Sequence, residues 1–134
     1  MKKFFLFSII ALSLTAGIVS CKKDSDGEEP DTSSRNVKYE ITGNYTGQLI
    51  IVISDNVTGI ETVTATSLPW TKEKTYSGNV AGIGIGGNSV LAHQGQPGQT
   101  VLLKIYSGGK VVRSSPATAD ANGTLNLPSL AFVF

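Results

Sequence analysis

The sequence predicts an all-β fold, an immunoglobulin-like β-sandwich of seven to eight strands occupying residues 37–134. Three observations lead there. From Val37 onward, apolar residues alternate with polar ones in runs of six to ten, the period of a half-buried strand. Gly, Asn, Asp and Pro punctuate those runs at a regular spacing, as in sandwiches. No stretch of that region holds a helical period.

The elements follow in order. Val37–Ile41 places Val37, Tyr39 and Ile41 on one face. Gln48–Ser54 is apolar on both faces and β-branched, which predicts a central strand covered on both sides. Asp55–Gly59 supplies turn residues, and Ile60–Leu68 is rich in β-formers. Pro69 holds Leu68 extended, so the next strand starts at Trp70 and runs through Tyr76 to the Ser77-Gly78-Asn79 turn. Val80–Gln94 reads as a strand broken or bulged near Gly86-Gly87-Asn88. Gln94–Gly98 is a loop. Thr100–Tyr106 turns Val101, Leu103 and Ile105 inward, and Ser107–Lys110 is a short hairpin leading to Val111–Ser114. The last strand spans Leu125–Phe134, interrupted at Pro128.

The first 36 residues obey a different logic. Lys2 and Lys3 open the chain, and the apolar run Phe4–Val19 is short for a bilayer span. Ile18-Val19-Ser20-Cys21 then reads as a lipoprotein signal-peptidase box, which makes residues 1–20 a lipoprotein signal peptide. Cys21, the single cysteine, would carry the diacylglycerol and become the new N-terminus. Two or three acyl chains make such an anchor effectively permanent, so the predicted partner is a membrane held through Cys21. A consumed thiol leaves neither an internal disulfide nor a cysteine-ligated metal.

Residues 21–36 form the predicted tether. No large apolar side chain occurs between Lys22 and Ser34, so this segment should be disordered, reaching at most about 50 Å from the bilayer. Removal of residues 1–20 leaves nine basic and ten acidic residues, a net charge of −1. Five of the acids (Asp24, Asp26, Glu28, Glu29, Asp31) lie in the tether, so no basic field remains for nucleic acid. The expected location is the cell envelope.

Candidate chemistry is sparse: the sequence predicts no cofactor, no metal site and no catalytic residue. Gly82-Ile83-Gly84-Ile85-Gly86-Gly87 lacks the helix a phosphate loop needs. Alternation instead sends Ile83 and Ile85 to the core and leaves Gly82, Gly84 and Gly86 as bare backbone, read as ordinary sheet with close strand or sheet packing, with approach of another chain or a flat ligand as the rival reading. Trp70 is read as core filling between the sheets, with an exposed aromatic platform as the rival reading. His93, the only histidine, is read as a strand-end polar group, because no second histidine or free cysteine can share a metal with it. A hydrolase would need His93 beside a serine and an acid. The Asn-X-Thr triplets at Asn44, Asn56 and Asn122 are read as turn chemistry. Leu130, Phe132 and Phe134 read as a core strand rather than the end of a barrel.

Two resemblances complete the reading. Cys21-Lys22-Lys23-Asp24-Ser25-Asp26 resembles lipoproteins of the Bacteroidetes type, whose residues after the cysteine act in surface export. No Asp directly follows Cys21, which disfavours inner-membrane retention and implies the outer membrane, facing the periplasm or the surface. Val37–Gly43, Leu68-Pro69-Trp70, Val90–Gln94 and Ile105–Val111 are together similar to the extracytoplasmic domain of the small mycobacterial membrane proteins called MmpS. That likeness implies a β-sandwich and an accessory role beside a large RND-type exporter of lipids or siderophores. The chain departs in carrying a lipoprotein box instead of a spanning helix, and in lacking the cysteines often found in that family's last strands. The function expected is therefore a non-enzymatic, lipid-anchored envelope adaptor with an envelope protein or exporter as partner. A cell-surface module for a glycan or small ligand is the alternative, with exposed aromatics at Tyr45, Tyr76 or Tyr106. Trp70, Tyr45, Tyr76 and Gly84 are the candidate interaction residues.

Overall fold

The structure, a computed structural model, describes residues 34–134. The predicted signal peptide, Cys21 and most of the tether lie outside those residues. Eight strands are present: β1 (Asn36–Gly43), β2 (Leu49–Asp55), β3 (Gly59–Ala65), β4 (Trp70–Thr75), β5 (Gly82–Ser89), β6 (Thr100–Ser107), β7 (Lys110–Thr118) and β8 (Asn126–Val133). They form two antiparallel four-stranded sheets, ordered β4-β1-β6-β7 and β3-β2-β5-β8. The second sheet has the C′-C-F-G order of a variable-type immunoglobulin domain, and β1 pairs β4 as B pairs E. The departure is the β6–β7 hairpin, which takes the side of β1 that strand A takes in an immunoglobulin domain.

Period-two alternation builds the core. Val37, Tyr39 and Ile41 of β1 and Val101, Leu103 and Ile105 of β6 face Leu49, Ile51 and Ile53 of β2 and Ile83 and Ile85 of β5. These side chains are all but fully buried, and each removes apolar surface worth roughly 1.5–3 kcal/mol from water. Tyr39 carries the only long polar tip among them. Its hydroxyl meets that of Tyr76 at 2.7 Å, and burial, helped by that contact, pushes its pKa far up.

The two long sides of the sandwich are closed by polar contacts together with partly buried apolar residues, Trp70 on one side and Val112, Ala117, Leu130 and Phe132 on the other. On one side, Lys72 and Lys74 point inward from edge strand β4 and meet Glu61 and Asp55: Lys72 pairs with Glu61, and Lys74 lies 3.5 Å from Asp55 and 3.8 Å from Glu61. On the other, an extra residue at Val112 bulges β7, and Arg113 Nε donates to the carbonyl of Ala131 on β8 at 3.0 Å. Inward charges, bulges and the prolines Pro116 and Pro128 are devices that stop open strand edges from pairing with other chains.

Some expectations shift. Strand β3 ends at Ala65 rather than Leu68, β7 continues to Thr118, and β5 ends at Ser89 before a short 3-10 turn at Leu91–His93. The tether reaches less far than residue 36, because β1 already includes Asn36 and the two residues before it are pinned. Arg35 donates to the carbonyls of Ser77 and Val80 and stacks on Phe134, and the Ser34 carbonyl accepts from the Ser107 hydroxyl. Central strand β2 is not covered on both sides: Ile50 and Val52 face outward and stay half-exposed. Trp70 sits opposite Ile41 and packs on the core from the rim, only partly buried.

This packing can be checked at two points. Trp70→Ala should lower unfolding stability by about 2 kcal/mol, below the ~3–5 kcal/mol of a fully buried aromatic, as read by chemical denaturation. Asp55 accepts hydrogen bonds from the Thr58 hydroxyl and from the N–H groups of Thr58 and Val57, which hold its pKa at about 2 against an ordinary 3.8. A depressed carboxylate stabilises the fold above its unfolded pKa and loses that contribution as pH falls through the folded one. The denaturation midpoint should therefore drop between pH 3.8 and about 2, with a shallower drop in Asp55→Asn.

Candidate functional site

The two outer faces of the sandwich differ in charge. On the β4-β1-β6-β7 face, Lys38, Glu40, Glu73, Lys104 and Tyr106 lie side by side in register. Glu40 is the hub: it accepts from Tyr106 OH at 2.7 Å and from Lys38 Nζ at 3.0 Å, with Lys104 Nζ at 3.7 Å. Those contacts, the tyrosine hydroxyl first, hold its carboxyl below the usual range. Lys38 also lies 4.1 Å from the Tyr106 ring centroid. A depression of about 430 Å³ opens beside this cluster, lined by Asn36, Lys38, Glu73, Thr75, Tyr106 and Gly109 among others.

The opposite face carries no charged side chain. Its outward residues are Ile60, Thr62 and Thr64 of β3, Ile50, Val52 and Ser54 of β2, Gly82, Gly84, Gly86 and Asn88 of β5, and Asn126, Ser129, Ala131 and Val133 of β8. Ile60 and Val133 are 75% and 72% exposed. Because β5 contributes only backbone at three successive outward positions, a trough of about 340 Å³ runs along it. Val52 and Ser54 wall it on one side, Ser129 and Ala131 on the other.

The local chain makes this shape unavoidable. A side chain on Gly84 would begin 2.9 Å from Ser54 Oγ, and one on Gly86 would begin 3.1 Å from Ser129 Oγ. Ser129 reaches that place because β8 gains an extra residue at Pro128–Ser129, where the β5–β8 register shifts. Gly87 has a different job: with φ at +151°, a Cβ there would lie 2.0 Å from the Ile50 carbonyl oxygen.

The predicted site residues scatter. Gly84 lies in the trough floor, with Ile83 and Ile85 inward as alternation requires. Tyr45 and Tyr76 are not exposed aromatics but buried ones, at 3% and 5% exposure. Tyr45 plugs one end of the sandwich, its hydroxyl donating to the Gly123 carbonyl and accepting from the Gly95 N–H, both at 3.0 Å. Tyr76 packs against Phe134 beneath Lys74. Neither offers a ring to a ligand, because each fills an end of the core that loops alone would leave open. Tyr106 is half-exposed on the charged face, away from Gly84 and Trp70.

His93 lies in the 3-10 turn with an exposed side chain, and it takes part in none of the ion pairs among the described residues. Its carbonyl, not its ring, is used, accepting from Gln48 N at 2.8 Å. Asn44 Oδ1 accepts from Thr100 N, and Asn56 Oδ1 accepts from Ala81 N and Gly82 N. In the third triplet Asp120 Oδ1, rather than Asn122, accepts the backbone N–H groups of Asn122 and Thr124. Sequence reasoning missed the uncharged face as a whole. Its signal was present in the outward positions of β2, β3 and β8, none of which is Asp, Glu, Lys or Arg.

The two kinds of glycine should separate on mutation. Gly84→Ala asks only a serine hydroxyl to turn and should change stability by less than about 1 kcal/mol. Gly87→Ala meets fixed backbone and should cost about 3 kcal/mol or more, visible as a large fall in Tm or as failure to fold.

Comparison with protein-family models, curated proteins and solved structures returned no match for this chain.

Proposed function

We propose that this chain is a non-enzymatic, lipid-anchored binding protein of the cell envelope, held at the outer membrane through acylated Cys21 and docking a partner on the β3-β2-β5-β8 face. The observation that carries the reading is the contrast between the two outer faces. Contiguous exposed apolar surface marks interaction sites on soluble proteins. Here Ile50, Val52, Ile60, Ala131 and Val133 give the uncharged face its apolar part beside the glycine trough, with Thr, Ser and Asn between them. Glu40, Asp55, Glu61 and Asp120 are spent on ion pairs or turns, which supports a binding role over acid–base chemistry. The MmpS-like pattern adds an accessory role beside an RND-type exporter as the form that docking takes.

The anchor and the face are tested separately. Growth with labelled palmitate should label the wild-type chain and leave Cys21→Ser unlabelled, with the mature wild-type chain beginning at residue 21. Thr62→Arg places a charge on the exposed face without touching the core. It should abolish recovery of the partner from gently solubilised membranes at unchanged Tm. Full recovery with Thr62→Arg would remove this face from the proposal.

A glycan or small-ligand module is the second reading, and the depression of about 430 Å³ beside Tyr106 favours it. Under that reading Tyr106→Ala, and not Thr62→Arg, abolishes binding on a glycan array.

A further inference from the structure

We infer that the occupant of the uncharged face is a second copy of this chain, paired face to face about a two-fold axis that runs along the strands. The inference rests on the docking reading above and adds its partner and geometry.

Charge is the first argument. A two-fold contact sets each surface against itself, so a face with Lys and Glu would have to match them by position, whereas a face with none carries no such constraint. The β3-β2-β5-β8 face has none among its outward residues.

Shape is the second, and it selects the axis. The order β3-β2-β5-β8 puts a ridge (Ile50, Val52, Ser54) and a trough (Gly82, Gly84, Gly86) side by side about the middle of the sheet. Rotation about an axis along the strands exchanges left and right, so β2 of one copy lies over β5 of the other. The register keeps heights: Val52 is level with Gly86 and Ser54 with Gly84, so these two enter the trough of the mate, while Ile50 lies over Asn88 at its end. At the margins, Ile60 is level with Ala131, through Ser54 and Gly84, and lies over it in the mate. Rotation about an axis across the strands would instead set trough on trough and ridge on ridge, leaving a void.

Attachment is the third and independent argument. The chain joins the domain at Ser34–Asn36, at the same end as the Ser107–Lys110 hairpin, and 33 residues precede that point. The strand-parallel axis places the N-terminal ends of both domains on one side, toward the membrane that the proposed anchors share. The crosswise axis sends them apart.

Four strands about 4.8 Å apart and seven to eight residues long present about 480 Å² per copy, roughly 1,000 Å² in all, at the low end for a specific interface. Association in free solution is therefore weak, and confinement to a shared membrane raises it.

The test uses the full chain in detergent micelles, with sedimentation read against protein concentration. Expected is a concentration-dependent dimer whose association falls about tenfold or more in Val52→Lys and in Thr62→Arg. It should be unchanged in Thr71→Arg on the charged face, with Tm retained in all three. A spin label at Val57→Cys in a Cys21→Ser background, with the chain concentrated until paired, should report about 15–25 Å between copies. A distance beyond about 35 Å would overturn the strand-parallel pairing. A monomer at every concentration, or a dimer indifferent to Val52→Lys and Thr62→Arg, overturns the inference. If a different protein co-purifies and is lost in those variants, self-pairing fails while the docking face stands. If nothing bound responds to them, both fail.

Discussion

Interleaving of two apolar inner faces is the constraint on which everything else depends. Strands β1, β2 and β6 each turn three large side chains inward and β5 turns two, Ile83 and Ile85, and the two sheets meet where those rows mesh. Because period two assigns the intervening residues to the outside, the outer faces are what remains once the core is satisfied. In β1 and β6 the remainder includes Lys38, Glu40 and Lys104 in contact, beside Tyr106, Leu102 and Thr42. In β2 and β5 it is Ile50, Val52 and a row of glycines. Two sheets of equal size and similar inner chemistry thus present opposite outer chemistry.

The polar closures along the long sides show how much of this domain is spent on keeping its edges single. Lysines directed inward from an edge strand would be costly in a deeper core, but at the rim Lys72 and Lys74 find Glu61 and Asp55 while part of each stem stays wet. The more exposed pair, Lys72 with Glu61, contributes little net stability. The weight of these pairs is in specificity, since a strand with buried charge on its inner side cannot continue into a neighbour's sheet. Association by edge addition is thereby discouraged, and the open route is through a face.

Most of the fold was legible in the sequence, and the reason is local. Strand-length runs bounded by turn residues marked the elements, and where alternation was clean it fixed the face, so Ile83 and Ile85 inward and Gly84 and Gly86 outward could be read without knowing any neighbour. Even the irregularity at Gly86–Gly87 and the break at Pro128 showed, because Gly and Pro mark such places directly. What was not legible depends on who lies beside whom. Tyr45 and Tyr76 look like loop-tip aromatics, yet the loops fold over them, and only the tertiary arrangement provides Gly123 and Gly95 as hydrogen-bond partners for Tyr45. Ile50 and Val52 look like a second core face, because continuous apolar runs usually mean cover on both sides. The structure leaves them open.

That last difference is the informative one. An outward Ile or Val on a central strand is favourable for strand formation but gains little from burial while it faces water. On β2 there are two, beside three glycines on β5 that contribute neither packing nor propensity. Outward positions of the opposite sheet instead hold Lys38, Glu40, Thr42 and Lys104, with Leu102 and Val111 as apolar exceptions. The proposed face-to-face contact would supply both cover and filling, since Val52 lies one strand from Gly86 and level with it in register.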